Sequence, residues 1–297
     1  MIFYEDPEED KGSLRMRIFR NLMLGWAMFI ALFGVGVISL LILFPPVEAI
    51  YQSITGNSCE SGPPHTATID IGDATLLRII ADRGDLSVIG RAGQTTIQIG
   101  GRTCATLESK RHLESIVLNT SVIDSDEILV SVMLPAGVND IRMDLEIIVP
   151  EDFPRVAVAN TEGPVFISNI RNLQAAIGYG NLDATRIGGT VDVLAIQGSM
   201  SLMDIGGDVN VSLIEGYGEV DLSRIVGNVV IDDNRSGPAR ISDIGGDVTI
   251  GSAGYGHLTV TDIAGDLSVD KNPGGHIIAE EIKGSVDIPG NEERSGT

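Results

Sequence analysis

Aromatic side chains are scarce in this sequence: seven Phe, five Tyr and one Trp make up 4% of 297 residues. That leaves little material for a broad aromatic platform that would bind carbohydrate, or for a helical core packed on large rings. Basic residues are also few, 20 Lys and Arg against 41 Asp and Glu, for a net charge of −21. Residues 1–45 hold only four of the basic and five of the acidic side chains, so the negative field belongs to the remainder. Such a field repels nucleic acid and anionic headgroups, which excludes nucleic acid as a partner and otherwise reads as a solvated acidic surface. The four histidines, at 65, 112, 257 and 276, are scattered. No CxxC or HxxxH spacing occurs, so no metal site is assigned. Serine-nucleophile, phosphate-loop and dinucleotide signatures are missing as well. No catalytic residue and no cofactor follows from the sequence.

Long apolar runs are absent except for one. Leu22 to Phe44 carries no charge over 23 residues. As a helix it would span roughly 34 Å, enough for a hydrocarbon core of about 30 Å. Lys11, Arg15, Arg17 and Arg20 precede it, and no basic residue follows until Arg78. The positive-inside rule then places residues 1–21 in the cytoplasm and the rest of the chain outside it, in a periplasm or beyond the cell. A cleaved signal peptide competes, since Val47-Glu48-Ala49 loosely resembles a cleavage site. Its apolar core would be about 7–15 residues, much shorter than this one. The expectation is a single transmembrane helix in the cell (inner) membrane, with the lipid bilayer as one partner. Pro45-Pro46 ends the helix, and residues 45–65 read as a linker. Cys59 and Cys104 lie beyond the membrane segment, where an even count favours a disulfide.

Glycine, by contrast, is abundant, with 36 residues. From Gly180 to Gly284 glycines recur every nine to eleven residues, each followed two positions later by an apolar, outward, apolar triplet such as Val248-Thr249-Ile250. The frame Ile-x-Gly-[Asp/Asn/Ser/Thr]-[Val/Leu]-x-[Val/Ile] recurs at Ile187, Ile205, Ile225, Ile244, Ile263 and Ile282, with steps of 18 to 20. A half-unit this short cannot bury its own apolar side, but stacked copies about 4.8 Å apart can. The expectation is an all-β fold: a parallel β-solenoid, β-helix-like, with about 19 residues per rung, preceded by one N-terminal transmembrane α-helix. Residues 66–160 read as an irregular β region starting the solenoid, with a short helix near Leu107–Leu118. Residues 161–290 form the regular solenoid, and 291–297 a disordered tail. Gly84-Asp85-Leu86-Ser87-Val88 is identical to Gly265-Asp266-Leu267-Ser268-Val269, which ties the irregular region to the same architecture.

With that pentapeptide, the strand and stop Leu145-Glu146-Ile147-Ile148-Val149-Pro150, and the Gly-Asp-Val repeats, the stretch from about Ile69 to Gly290 resembles a bacterial β-strand-repeat family of unknown function, whose members carry the name "putative adhesin". The resemblance implies a β-solenoid behind one membrane anchor. It implies no catalytic residues.

Three sets of residues are candidates for chemistry. Asp208, Asp247 and Asp266 share one repeat position and Asp204, Asp243 and Asp262 another, a stacking that resembles calcium-binding β-rolls. The Gly-Gly-x-Gly-x-Asp pattern is incomplete, however, and turn chemistry explains Gly-Asp without a metal. His257 and His276, 19 apart, read as a surface pair. Gly-Tyr-Gly occurs at 178–180, 216–218 and 254–256, so Tyr179, Tyr217 and Tyr255 recur every 38 residues at one corner. Either each ring packs over a neighbouring glycine bend, or the row is a partner-binding corner. The reading that results is a non-enzymatic, adhesin-like binding or scaffold protein of the cell envelope, with an envelope protein as candidate partner. Its rival is a polysaccharide-acting enzyme on a β-helix scaffold.

Overall fold

The computed structural model describes residues 59–123, 126–235 and 237–289. The stretches expected to be a cytoplasmic tail and a transmembrane helix, 1–21 and Leu22–Phe44, lie outside the described residues, as do most of the expected linker and the expected C-terminal tail. Among the described residues no helix is long and apolar enough to cross a membrane.

The chain from residue 59 is all-β, a parallel β-solenoid of about seven turns in which each turn adds one strand to each of two sheets. In the first sheet the strands Leu182–Ile187, Met200–Ile205, Val220–Ile225, Ala239–Ile244, Leu258–Ile263 and Ile277–Ile282 stack in parallel. The second sheet stacks Val191–Gln197, Val209–Glu215, Val229–Asn234, Val248–Ile250, Leu267–Val269 and Val286–Asp287. The isoleucine frame read from the sequence is a true column: Ile187, Ile205, Ile225, Ile244, Ile263 and Ile282 are register partners from rung to rung. All but the last are buried. Each such side chain contributes about 1.5–3 kcal/mol by leaving water, and one continuous apolar core runs between the sheets.

The column depends on a local break in strand periodicity. Simple alternation would point residue 186 inward, yet in Leu182–Ile187 the buried positions are Leu182, Ala184 and Ile187. The residue just before each isoleucine takes a left-handed conformation, with φ between 52° and 59° at Arg186, Asp204, Arg224, Asp243, Asp262 and Glu281. Each spends one residue on the bend, in the manner of a bulge, and returns the next side chain to the core. Such a conformation costs an L residue on the order of 1–2 kcal/mol, least for Asp. Asp fills half of these six positions.

The first part of the chain is built differently. Glu127–Met133 and Ile141–Pro150 form the outermost rung and stack on Leu76–Arg83 and Leu86–Arg91. That pair stacks in turn on Arg155–Glu162 and Val165–Ser168. The rung that comes first in the chain is therefore second in space. Four antiparallel strands cover the outer end: Glu60–Ser61 and His65–Asp70 on Thr96–Ala105, which lies on Ile141–Pro150, with Val117–Ile123 on Glu127–Met133. An end rung of a solenoid would otherwise expose the core and a row of unpaired backbone groups. Antiparallel strands close that end. The strand at Glu60–Ser61 already lies within the stretch expected to be linker. The expected short helix is a six-residue 3-10 helix, Lys110–Ser115, held to the core by Leu113.

Candidate functional site

The two sheets meet at two corners, and each corner has its own chemistry. At the turn from the second sheet back to the first, one glycine stands on every rung: Gly163, Gly180, Gly198, Gly218, Gly237, Gly256 and Gly275. A Cβ on any of the last six would lie 2.0–2.1 Å from the carbonyl oxygen of the column glycine one rung below. No side chain fits, because the backbones approach at strand spacing exactly where the chain turns. Tyr179, Tyr217 and Tyr255 each immediately precede a column glycine. Their rings point away from the solenoid, with 68%, 88% and 72% of their surface exposed. Tyr255 has a glycine beside its ring: Cδ1 lies 3.3 Å from the place a Cβ on Gly274 would occupy. Contact of that kind leaves most of the Tyr255 ring in solvent, and the other two are comparably exposed.

Between the tyrosines runs a chain of polar side chains that the sequence reading did not single out. Tyr179 is the register partner of Gln197, and Gln197 of Glu215. Gln197 Nε2 donates to Glu215 Oε2 at 2.6 Å. Arg235, one rung further, pairs with Glu215 Oε1 and with Asp233 Oδ2 at 3.1 Å. Both oxygens of the Glu215 carboxylate are thus met by donors. Arg235 remains about half exposed, 54% at its side chain. Aligning the repeats on the column glycine places these residues on successive rungs, so their positions, though not their contacts, were available in the sequence. His257 and His276 follow the column glycines at the end of the same corner, their rings edge to face with centroids 6.1 Å apart.

The opposite corner explains the aspartates. The N–H of Asn228 donates to Asp208 Oδ1 (2.7 Å), that of Asp247 to Asn228 Oδ1 (2.8 Å), that of Asp266 to Asp247 Oδ1 (2.8 Å) and that of Ser285 to Asp266 Oδ1 (2.7 Å). Asn172 begins the same ladder by accepting from Thr190 at 3.0 Å. The glycine before each donor is required because that oxygen occupies its Cβ space: a Cβ on Gly227, Gly246, Gly265 or Gly284 would meet it at 2.1–2.3 Å. The Gly-Asp dipeptides are therefore parts of a ladder between rungs and not self-contained turns. In the second aspartate column Asp204 is held by Arg224, and Asp262 lies 3.8 Å from Lys283. Among the described residues no three His, Cys, Asp or Glu side chains converge as a metal site would require.

Ladder hydrogen bonds from the Ser285 backbone and side chain hold the Asp266 carboxyl below its ordinary range. Asp204 is lowered by its hydrogen bond to Arg224, and Asp140 by those from Ser109 and Thr106. A lowered carboxylate stabilises the fold above its unfolded pKa, and that contribution is lost as pH falls through the folded value. Asn keeps the Oδ1 acceptor but does not titrate. Asp266→Asn is thus expected to melt somewhat below the parent at neutral pH, where the charge contribution is missing, and to lose less stability than the parent between pH 5 and pH 2, measured by circular dichroism. Parallel acid profiles would remove Asp266 from the ladder's energetics.

The cysteines expected to pair do so. Cys59 and Cys104 form a disulfide, with Cα atoms 5.4 Å apart and a sequence separation of 45. It fastens the first antiparallel strand to Thr96–Ala105.

No protein-family profile matches the chain, and no curated protein does. Solved structures similar to it include a "putative adhesin" from Bacteroides fragilis, 14% identical with a TM-score of 0.34 over 76% of this chain and 96% of that one. Another is a "putative cell adhesion protein" from Clostridium sporogenes, 13% identical, TM-score 0.28, over 76% and 98%. A third, from Parabacteroides distasonis, is 12% identical with a TM-score of 0.26 over 76% and 97%. The fold rests on the strand pairing and not on these likenesses.

Proposed function

We propose that this chain is a single-pass membrane protein whose solenoid stands outside the cytoplasm and acts as a non-enzymatic binding or scaffold protein of the cell envelope. Leu22–Phe44 is its anchor, and the corner bearing Tyr179, Tyr217 and Tyr255 is its contact surface. The observation that carries this reading is the exposure of all three rings, 68% to 88%, at a fixed two-rung step in a chain so poor in aromatics. Exposed, regularly placed tyrosines bring apolar contact area and a hydroxyl at low entropic cost, which is why the residue is enriched at binding surfaces. The disulfide suits an oxidising compartment. At the ladder corner Asp208, Asp247 and Asp266 accept from backbone N–H groups and Asp204 from Arg224, so these stacked carboxylates have structural partners.

The test uses the full chain in detergent, mixed with washed cell-envelope fragments and sedimented. Wild type is expected to co-sediment. Replacing the three tyrosines together with serine is expected to reduce the bound fraction roughly tenfold, as loss of several aromatic anchors does, with an unchanged melting temperature. Equal retention of the two proteins would remove the corner from the contact surface.

A further inference from the structure

The geometry of the tyrosine corner points to one ligand class, and we infer that it binds an uncharged β-1,4-linked glycan lying along the solenoid axis. The inference rests on the corner being the contact surface and names what it contacts. The rungs that carry the tyrosines lie about 9.6 Å apart along the backbone, twice the strand spacing. In an extended β-1,4-linked chain each sugar is flipped relative to the last. The same face therefore recurs at every second residue, at the length of a disaccharide, which is comparable to two rungs. A sugar that lays its C–H face on Tyr179 is thus followed, two residues on, by one presenting the same face to Tyr217, and then by another to Tyr255. The electron-rich ring face meets the weakly positive C–H bonds.

The rungs between the rings carry the complementary chemistry. Gln197 lies between Tyr179 and Tyr217, and Arg235 between Tyr217 and Tyr255. Both are joined through Glu215 into one hydrogen-bonded strip. Rings two rungs apart meet the same C–H face of alternate sugars, and the polar side chains between them supply hydrogen-bond partners for the equatorial hydroxyls that line the edges of the chain. Because Glu215 is already paired on both oxygens, the strip offers directed donors and acceptors and little free charge. The acidic balance of the molecule, net −21, disfavours anionic polymers on the same surface. One row of three rings is also what a single strand needs, whereas a crystalline polysaccharide face would require a wider platform.

The experiment titrates the full chain in detergent with cellohexaose and with the hexamer of N-acetylglucosamine, each compared with its dimer, by calorimetry. At least one hexamer is expected to bind, and at least roughly tenfold more tightly than its dimer, because a second and third ring engage without a further loss of freedom. Tyr217→Ala is expected to weaken the hexamer roughly tenfold, since it removes the central ring. Tyr217→Phe, which keeps the ring, is expected to retain most of the affinity, and all variants are expected to keep the parental melting temperature. Failure of both hexamers to bind, or binding indifferent to Tyr217, overturns the glycan. If envelope retention nevertheless still requires the tyrosines and is abolished by protease treatment of the fragments, the corner holds a protein. If neither hexamer binding nor envelope retention depends on the tyrosines, the contact surface falls with it.

Discussion

Gly237→Ala is expected to lower the melting temperature by on the order of 10 °C, which corresponds to about 3–5 kcal/mol for a domain of this size. The added methyl would sit 2.0 Å from the carbonyl oxygen of Gly218. That neighbour is backbone, fixed by the ladder that holds one rung on the next, so the clash is relieved only by opening the stack. Val220 N donates to Pro238 O at 2.9 Å immediately beside it, and the bond would lengthen with the rung. In a stack where each rung depends on its neighbours, separating two in the middle weakens both sides. Gly216→Ala is the control. Gly216 has φ +89° but nothing within 4 Å of its Cβ position, so only backbone strain is added. Its cost is about 1–2 kcal/mol. Thermal and urea denaturation of the two variants separates a steric requirement from a conformational one. Equal losses would mean that the approach of the neighbouring carbonyl is not what reserves the column position for glycine.

Those glycines also show how far the sequence could be read. Their spacing, with the isoleucine column, gave the solenoid and its register, because repetition places like residues over like residues whatever the details of the turn. Which neighbour each glycine answers to was not legible. At one corner the obstacle is a carbonyl and at the other it is the Oδ1 of an Asp or Asn one rung below, and one letter encodes both. The identical pentapeptides make the same point. Leu86 lies in the sheet that contains Val165, whereas Leu267 lies in the sheet that contains Val248. Gly84-Asp85 and Gly265-Asp266 therefore turn opposite corners. The match correctly joined the first part of the chain to the solenoid, but it did not show that Leu76–Arg91 is sandwiched between rungs that follow it in sequence. Non-local order of that kind leaves no periodic trace. At the candidate site the tyrosine period was visible, but exposure was not. Whether a ring folds over a glycine or stands free depends on turn geometry, as at Tyr255, whose ring lies beside Gly274. The Gln197–Glu215–Arg235 strip was hidden because its members differ in type and meet only across rungs.

Replacing both Cys59 and Cys104 with serine is expected to destabilise the N-terminal end of the solenoid by about 3–4 kcal/mol, the chain-entropy value for a loop of this length. The bridge closes 45 residues. That loop contains Leu76–Arg83 and Leu86–Arg91, the strands inserted between the rung of Glu127–Pro150 and that of Arg155–Ser168. Ordering them requires contacts distant in sequence on both faces, and restricting the loop beforehand lowers the entropy lost in doing so. The regular rungs from Leu182 onward do not share this requirement, since each stacks on the rung before it in the chain. Loss of the bridge is therefore expected to separate the two parts. Backbone amides of Thr96–Ala105 and Ile141–Pro150 should exchange well before those of Met200–Ile205 and Val220–Ile225, whereas in the bridged protein the protection should be more uniform. Hydrogen exchange followed by mass spectrometry reads both segments in one experiment. Unchanged protection in Thr96–Ala105 would mean that the antiparallel strands alone hold the end closed. Uniform loss along the whole chain would mean that the stack opens as one unit, with the strength of rung-to-rung coupling, and not the cap, setting its stability.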